Sequence, residues 1–219
     1  PFPLAYAHFI FTYNEGMKAI TISRQMGSLG CETAHAVAEC LGYRVLWREV
    51  INQAALRART PEVALATIDE LDLLGLRPPL KEIHAYHQAV RELMHELAAS
   101  GNVILVGRAG QVILRGVPGV LHVRLYAPFE IRVERIAKRN NVSTETARAQ
   151  VETSDEARRR YLRRYYHVRW DDPELYDLMI NTAHLSGPEA AAIICAAVID
   201  AKKISVKPAP TSESASCEP

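Results

Sequence analysis

The stretch that most constrains this chain is AITISRQMGSLGCET, residues 19–33. The short apolar run Ala19–Ile22 predicts a strand, and Gly27 and Gly30 predict a loop. Ala34, Val37, Ala38 and Leu41 then recur at helical spacing and predict a helix ending at Gly42. Strand, glycine loop and helix N-terminus in that order aim backbone N–H groups and the positive end of the helix dipole at one spot, where a phosphate can sit. The common phosphate-loop pattern is G-x-x-x-x-G-K-[ST]. With Gly30 as its second glycine, Gln25 stands at the first glycine and Cys31 at the lysine. Arg24, in the same loop, is the candidate source of the missing positive charge, and the Thr33 hydroxyl is the candidate ligand for Mg2+ or phosphate. From the loop alone, a plain strand-to-helix turn with two convenient glycines is an equally good reading.

A chain of 219 residues, 48% of them hydrophobic, is long enough for one domain with a sizeable core. Its net charge of +1 gives no global attraction to nucleic acid or anionic membrane, so any basic function must come from a local cluster. Cys31, Cys40, Cys195 and Cys217 form no CxxC pair, which predicts a reducing, cytoplasmic setting. No stretch of bilayer-spanning length is free of charges, so no membrane partner is expected. Met17-Lys18 resembles a translation start. Residues 1–16 are therefore expected to lie outside the fold, with an added edge strand as the alternative. The tail Ser205–Pro219, rich in Ser, Pro, Ala and Thr, is expected to be disordered.

Further along, Tyr43–Trp47 reads as a strand and Arg48–Arg59 as a helix; Thr60 to Pro79 reads as short helices and loop. Leu80–Ala99 reads as a long amphipathic helix, and Val103–Val106 and Val120–Tyr126 as strands. A helix follows from Ala127-Pro128 to about Arg139. Another, capped by Ser143, runs to about Trp170; Leu178–Asn181 is a last strand; and Ser186-x-x-Glu189 is a capping box opening a final helix. Apolar strands alternating with helices predict a five-stranded parallel sheet with helices on both faces, its ligand beyond the strands' carboxyl ends. The glycine loop, the Gly107-Arg108-Ala109-Gly110 turn and the turn after Tyr126 all follow strand ends and should converge there.

Two groups of cations stand out. Arg108, flanked by glycines after an apolar strand, suits bidentate binding of a phosphate or carboxylate. Arg132, Arg135 and Arg139 share one helix face, and Arg158, Arg159, Arg160, Arg163, Arg164 and Arg169 follow, interleaved with Tyr161, Tyr165, Tyr166 and Trp170. That set reads as a lid over polyphosphate, as a nucleic-acid face, or as a solvated helix paired with Glu152, Asp155 and Glu156. His84, His87 and His95 lack a completing carboxylate or cysteine and are read as surface residues, not metal ligands.

In order and spacing, ITISRQMGSLG, LGYRVLWREVI, VILVGRAGQVIL, VLHVRLYAPFEIRVERI, and Asp155-x-x-Arg158 with WDDPELYDLMINT resemble the cytidylate kinase-like family of P-loop nucleoside monophosphate kinases. The resemblance runs from about Lys18 to Lys203 and implies a three-layer P-loop kinase fold over residues 17–204, with a helical lid near 140–170. It implies transfer of the ATP γ-phosphate, with Mg2+, to a (d)CMP-like acceptor; small nucleotides, not nucleic acid, are then the expected partners. Gly27, Ser28, Gly30, Cys31 and Thr33 would hold the ATP phosphates, with Arg135. Arg108, Asp155 and Arg159 would serve the acceptor, Asp155 orienting an arginine. Arg24, Arg132 and Arg158 would be the catalytic arginines, and Thr33 would hold magnesium. The alternatives are a catalytically inactive nucleotide sensor and, behind it, a nucleic-acid-binding module. The departures from the family pattern are Trp47 at a position that tends to be acidic, Ala109 where an Asp stands beside the Arg, and Cys31-Glu32 at the mouth of the loop.

Overall fold

The computed structural model describes residues 17–47, 49–50, 53, 57 and 80–203. The expectations for residues 1–16, for most of Arg48–Arg59, for Thr60 to Pro79 and for the tail lie outside the described residues.

Strand β1 (Ala19–Arg24) is buried up to its last residue. It lies in one sheet with β2 (Arg44–Leu46), β3 (Val103–Val106), β4 (Val120–Tyr126) and β5 (Leu178–Asn181), in the order β2-β3-β1-β4-β5. Every pairing is parallel, with Ile22 opposite both Val106 and Val123. Parallel neighbours require crossovers, and helices supply them. The described helices are α1 (Gly30–Leu41), α2 (Leu80–Ser100), the single turn α3 (Gly110–Ile113), α4 (Phe129–Asn140), α5 (Thr144–Tyr166) and, after the last strand, α6 (Gly187–Lys203). From β1 the chain goes to the edge strand β2, returns to β3 beside β1, and then crosses to β4 and β5 on the other side. The crevice at such a switch point is where ligands bind in open α/β sheets.

The period-two alternation of the strands sorts their side chains between two cores. Ile20, Ile22, Ile104, Val106, Leu121, Val123 and Leu125 pack beneath α1 and α6. Ala19, Val103, Leu105 and Val120 pack with Val90, Leu93 and Met94 of α2 on the other face. Each fully buried Ile or Leu contributes roughly 1.5–3 kcal/mol, so the two cores dominate stability. The helix ends follow local signals. Ser143 caps α5 by accepting from the Thr146 N–H at 3.2 Å. The Ser186 N–H donates to Glu189 Oε2 at 2.7 Å, and the Glu189 N–H donates back to Ser186 Oγ at 3.3 Å, the expected capping box. Helix α5 stops short of Trp170 because His167 turns left-handed, φ 56°, and its N–H closes the helix on Leu162 and Arg163 carbonyls.

One buried pair crosses the sheet. Thr21 Oγ1 and His122 Nδ1 are 2.8 Å apart, on adjacent strands. Burial pushes the His122 imidazole below its ordinary pKa, outweighing the opposing pull of Asp177. The folded state therefore prefers neutral His122. Above the unfolded pKa, about 6.5, both states are neutral and no penalty exists. Below it the unfolded chain takes up a proton that the folded chain refuses, and stability falls. The melting temperature should decline from pH 7 to pH 5 by more than that of His122→Gln, which removes the titration.

Candidate active site

The loop after β1 is tied down on both flanks. The Gln25 N–H donates to the Leu125 carbonyl at 3.1 Å, and Gln25 Oε1 accepts from the Ala127 N–H at 3.1 Å. Ser28 Oγ donates to the Gln25 carbonyl at 2.9 Å. Gly27, at φ +80°, sits so close to α4 that a Cβ would stand 2.7 Å from the Arg132 carbonyl oxygen. Leu29 then turns left-handed, φ 59°, and α1 opens at Gly30 with no side chain capping it. The N–H groups of its first turn thus face the loop's concavity, as an anion cradle requires.

Left-handed backbone recurs along this edge. Arg108 at φ 53° and Ala109 at φ 57° join Leu29. None of the three is a residue type that tolerates that region well, at a cost of roughly 1–2 kcal/mol each. Such strain concentrates where a loop must hold a functional shape.

Arg24, the last residue of β1, lies across the cradle. Its Cγ is 2.6 Å from where a Cβ on Gly30 would stand, and its Nη1 is 2.6 Å from the equivalent point on Gly107. The side chain therefore runs over the first residue of α1 to the turn after β3, beside Arg108. The two glycines are what allow that path.

These ends open onto a cavity of about 1270 Å³. Arg24 and Met26 of the first loop, Gly107, Arg108 and Ala109 after β3, and Trp47 and Glu49 after β2 form its floor. Helix α5 covers it with Ser154, Arg158 and Tyr161, among others. Of the residues expected from sequence, Arg24, Arg108 and Arg158 come together here. Arg158 is steered by its own helix, its Nη1 donating to the Ser154 carbonyl at 2.9 Å and to Ser154 Oγ, and its guanidinium lies 5.9 Å from the Trp170 ring.

The others lie elsewhere. Arg132 and Asp155, expected to act on transition state and acceptor, are sealed, each with a side chain 4% exposed. Arg132 Nη1 and Nη2 donate to Asp155 Oδ1 and Oδ2 at 3.2 and 2.8 Å. The same guanidinium donates to the Ala127 carbonyl at 3.0 Å and the Met26 carbonyl at 3.2 Å. Asp155 does orient an arginine, but one turned away from the cavity. Arg135 donates to the Gly27 carbonyl at 3.2 Å and to the Thr182 carbonyl at 2.6 Å. Arg132 and Arg135, one helical turn apart, thus grip consecutive carbonyls of the glycine loop from outside. Arg159 is exposed and pairs with Glu156 at 3.1 Å and Asp155 at 3.9 Å. Gly27, Ser28 and Gly30 form the cradle beside the cavity, and Cys31 is exposed at the first turn of α1.

Thr33 lies away from the cavity lining, fully buried, its Oγ1 without a hydrogen-bond partner among the described residues. Nor do the described residues include a cluster of three His, Cys, Asp or Glu able to hold a metal. No described helix is long and apolar enough to cross a membrane.

A buried polar network under the cavity escaped the sequence reading. Arg124 of β4, 5% exposed, has its guanidinium 4.6 Å from the Trp170 ring and donates to the Trp170 carbonyl and, at 3.2 Å, to Tyr176 Oη. Trp170 Nε1 donates to Ser23 Oγ at 2.9 Å. The signal was present: an arginine in the middle of VLHVRLY, a strand whose only other strongly polar residue is His122.

A sequence profile of the cytidylate kinase-like family matches residues 19–184. A cytidylate kinase of Pyrococcus horikoshii is 38% identical over 182 residues, covering 83% of this chain and 88% of that protein. A cytidylate kinase of Methanocaldococcus jannaschii is 33% identical over 111 residues, 49% of this chain and 62% of that protein, so the match spans less than two thirds of that relative. Among solved structures, an uncharacterized protein from Eubacterium ventriosum superposes with a TM-score of 0.65 at 20% identity, over 83% of this chain and 98% of that one. Shikimate kinase from Acinetobacter baumannii, solved with shikimate, superposes with a TM-score of 0.50 at 15% identity, over 88% and 98%. At those identities the likeness is one of fold, and it is that of the P-loop kinases.

Proposed function

The chain belongs to the cytidylate kinase-like family, and on that footing we propose that it transfers the γ-phosphate of ATP to a nucleoside monophosphate of (d)CMP type. One observation supports this reading above the rest. Arg24, Arg108 and Arg158, from three separate elements, line a single cavity at the carboxyl edge of the sheet, beside a glycine loop that opens a helix. Phosphoryl transfer asks a protein for positioning and charge neutralisation. The acceptor's phosphate oxygen is already anionic and attacks the γ-phosphorus while the bond to the ADP oxygen breaks; no general base is needed.

In this reading the cradle of Gly27, Ser28 and Gly30 with Cys31 holds the ATP phosphates on backbone N–H groups. Arg24 supplies the charge that a loop lysine would otherwise supply, Arg108 binds the acceptor phosphate, and Arg158 closes over the transferring group. Arg132, Asp155 and Arg135 act one step back, as positioning residues that fix the loop and α5. Magnesium arrives as part of the Mg–ATP substrate, since Mg2+ keeps waters and phosphate oxygens in preference to a protein cage. A cytoplasmic location follows from the substrates.

The test is a panel of ribo- and deoxyribonucleoside monophosphates with Mg–ATP, read as diphosphate formed. Turnover of at least one is expected. Silence across the panel would overturn the kinase reading, and a nucleotide-dependent rise in melting temperature without turnover would make the protein a sensor instead.

A further inference from the structure

The strand order lays out the cavity floor as a row. All strands are parallel, so β2, β3 and β1 end at one edge, each about 4.8 Å from the next. The side chains at or just past those ends are Trp47 and Glu49, then Arg108, then Arg24. All of them line the cavity. Two arginines thus occupy the middle of the sheet, and one aromatic ring and one carboxylate occupy its edge. Among the described lining residues, Glu49 carries the sole carboxylate. Trp47 is held in place, its ring edge-on to His35 of α1 at 5.5 Å and 78°. Its backbone N–H donates to Glu49 Oε2 at 3.5 Å, which ties the carboxylate to the Trp47 main chain.

We infer that Trp47 and Glu49 form the base-reading end of the acceptor site, and that Glu49 selects a nucleobase carrying an exocyclic amino group. This rests on the nucleotide-kinase reading above. A phosphate anchored at Arg108 directs the rest of the acceptor along the row, away from Arg24 and towards the β2 edge. There a planar base meets the Trp47 ring, and the Glu49 carboxylate meets the base. A carboxylate only accepts hydrogen bonds, so it needs N–H donors on the ligand. Cytosine, adenine and guanine present an amino group; uracil carries a carbonyl oxygen at C4, where cytosine carries its amino group, and the carboxylate repels that oxygen. A site built to pair one polar group discriminates strongly against a ligand that leaves it unmatched.

The experiment compares kcat/KM for CMP, AMP, GMP and UMP between wild type and Glu49→Gln, with Mg–ATP as donor. The quantity read is the ratio of the best amino-bearing acceptor to UMP. Wild type should favour the amino-bearing base by at least about tenfold, and Glu49→Gln, whose amide can donate to a carbonyl, should lower that ratio about tenfold. A second measurement needs no variant: CMP against the monophosphate of its 4-deamino analogue, 2-pyrimidinone riboside, on wild-type protein, where loss of the amino group should cost about tenfold. If acceptors turn over but the ratio is equal in both proteins, or the analogue matches CMP, the assignment of Glu49 is overturned while the kinase reading stands. If nothing turns over, it is the kinase reading that has failed.

Discussion

Asp155→Ala should lower the free energy of unfolding by about 3–5 kcal/mol, as measured by urea denaturation. The magnitude comes from what is left behind. Arg132 and Asp155 side chains are both 4% exposed, so removing the carboxylate strands a guanidinium that water cannot reach. Arg132 would keep its bonds to the Met26 and Ala127 carbonyls, but those are neutral acceptors and do not balance its charge. The pair Arg148–Glu130 is the control: at 2.6 Å it is shorter, yet its side chains are 42% and 64% exposed, and Glu130→Ala should leave the urea midpoint near wild type. Replacing both buried partners, as Arg132→Met with Asp155→Leu, should recover most of the stability, because no unpaired charge remains. It should not recover activity, because the Met26 carbonyl would lose its anchor and the glycine loop its shape. A double variant as active as wild type would show that the pair serves folding alone.

Much of this architecture was legible in the chain. Each strand among the described residues was visible as an apolar run, and the caps at Ser143 and Ser186 were visible as local patterns, because both depend on neighbours in sequence. The site was legible only in part. Arg24 and Arg108 could be placed because each sits at or just after a strand end, where topology alone decides the address. Arg132 could not. Arg132, Arg135 and Arg139 share a face by spacing, yet Arg132 is buried, Arg135 half-buried and Arg139 exposed. Seven residues advance a helix by about 10 Å, so the first of the three lies under the glycine loop and the last has passed beyond it. Face can be read from periodicity; position along the axis relative to another element cannot. The burial of Thr33 was hidden for a related reason. The phosphate-loop pattern marked its hydroxyl as a candidate ligand, and that hydroxyl is buried with no hydrogen-bond partner among the described residues; near Thr33 the first turn of α1 is packed beneath the start of α6, where a Cβ on Gly187 would stand 3.3 Å from the Thr33 backbone nitrogen. That contact is separated by some 150 residues of sequence and left no local trace.

The path of Arg24 leads to the second large effect. Gly30→Ala should cut kcat/KM by about 100-fold or more, the scale expected when a charge aimed at the transferring phosphate is displaced. On backbone grounds alone the change is favourable: Gly30 begins a helix, no left-handed angle is required of it, and Ala stabilises helical positions by up to about 1 kcal/mol over Gly. The difficulty is Arg24, whose Cγ and Cβ stand 2.6 and 2.8 Å from the new methyl group. Those atoms are close to the strand backbone and cannot swing aside as a guanidinium tip could, so the whole side chain must leave its course over the cradle. Activity and stability should therefore move in opposite directions, with a melting temperature equal to or above wild type in a nearly inactive protein. A double-mutant cycle separates this from simple blockage of the cradle. In an Arg24→Ala background, itself expected to be impaired, Gly30→Ala should have little further effect, since the group it displaces is gone. If the two losses multiply instead, Gly30 matters because ATP phosphates approach its backbone directly, and the missing lysine's charge comes from a residue other than Arg24.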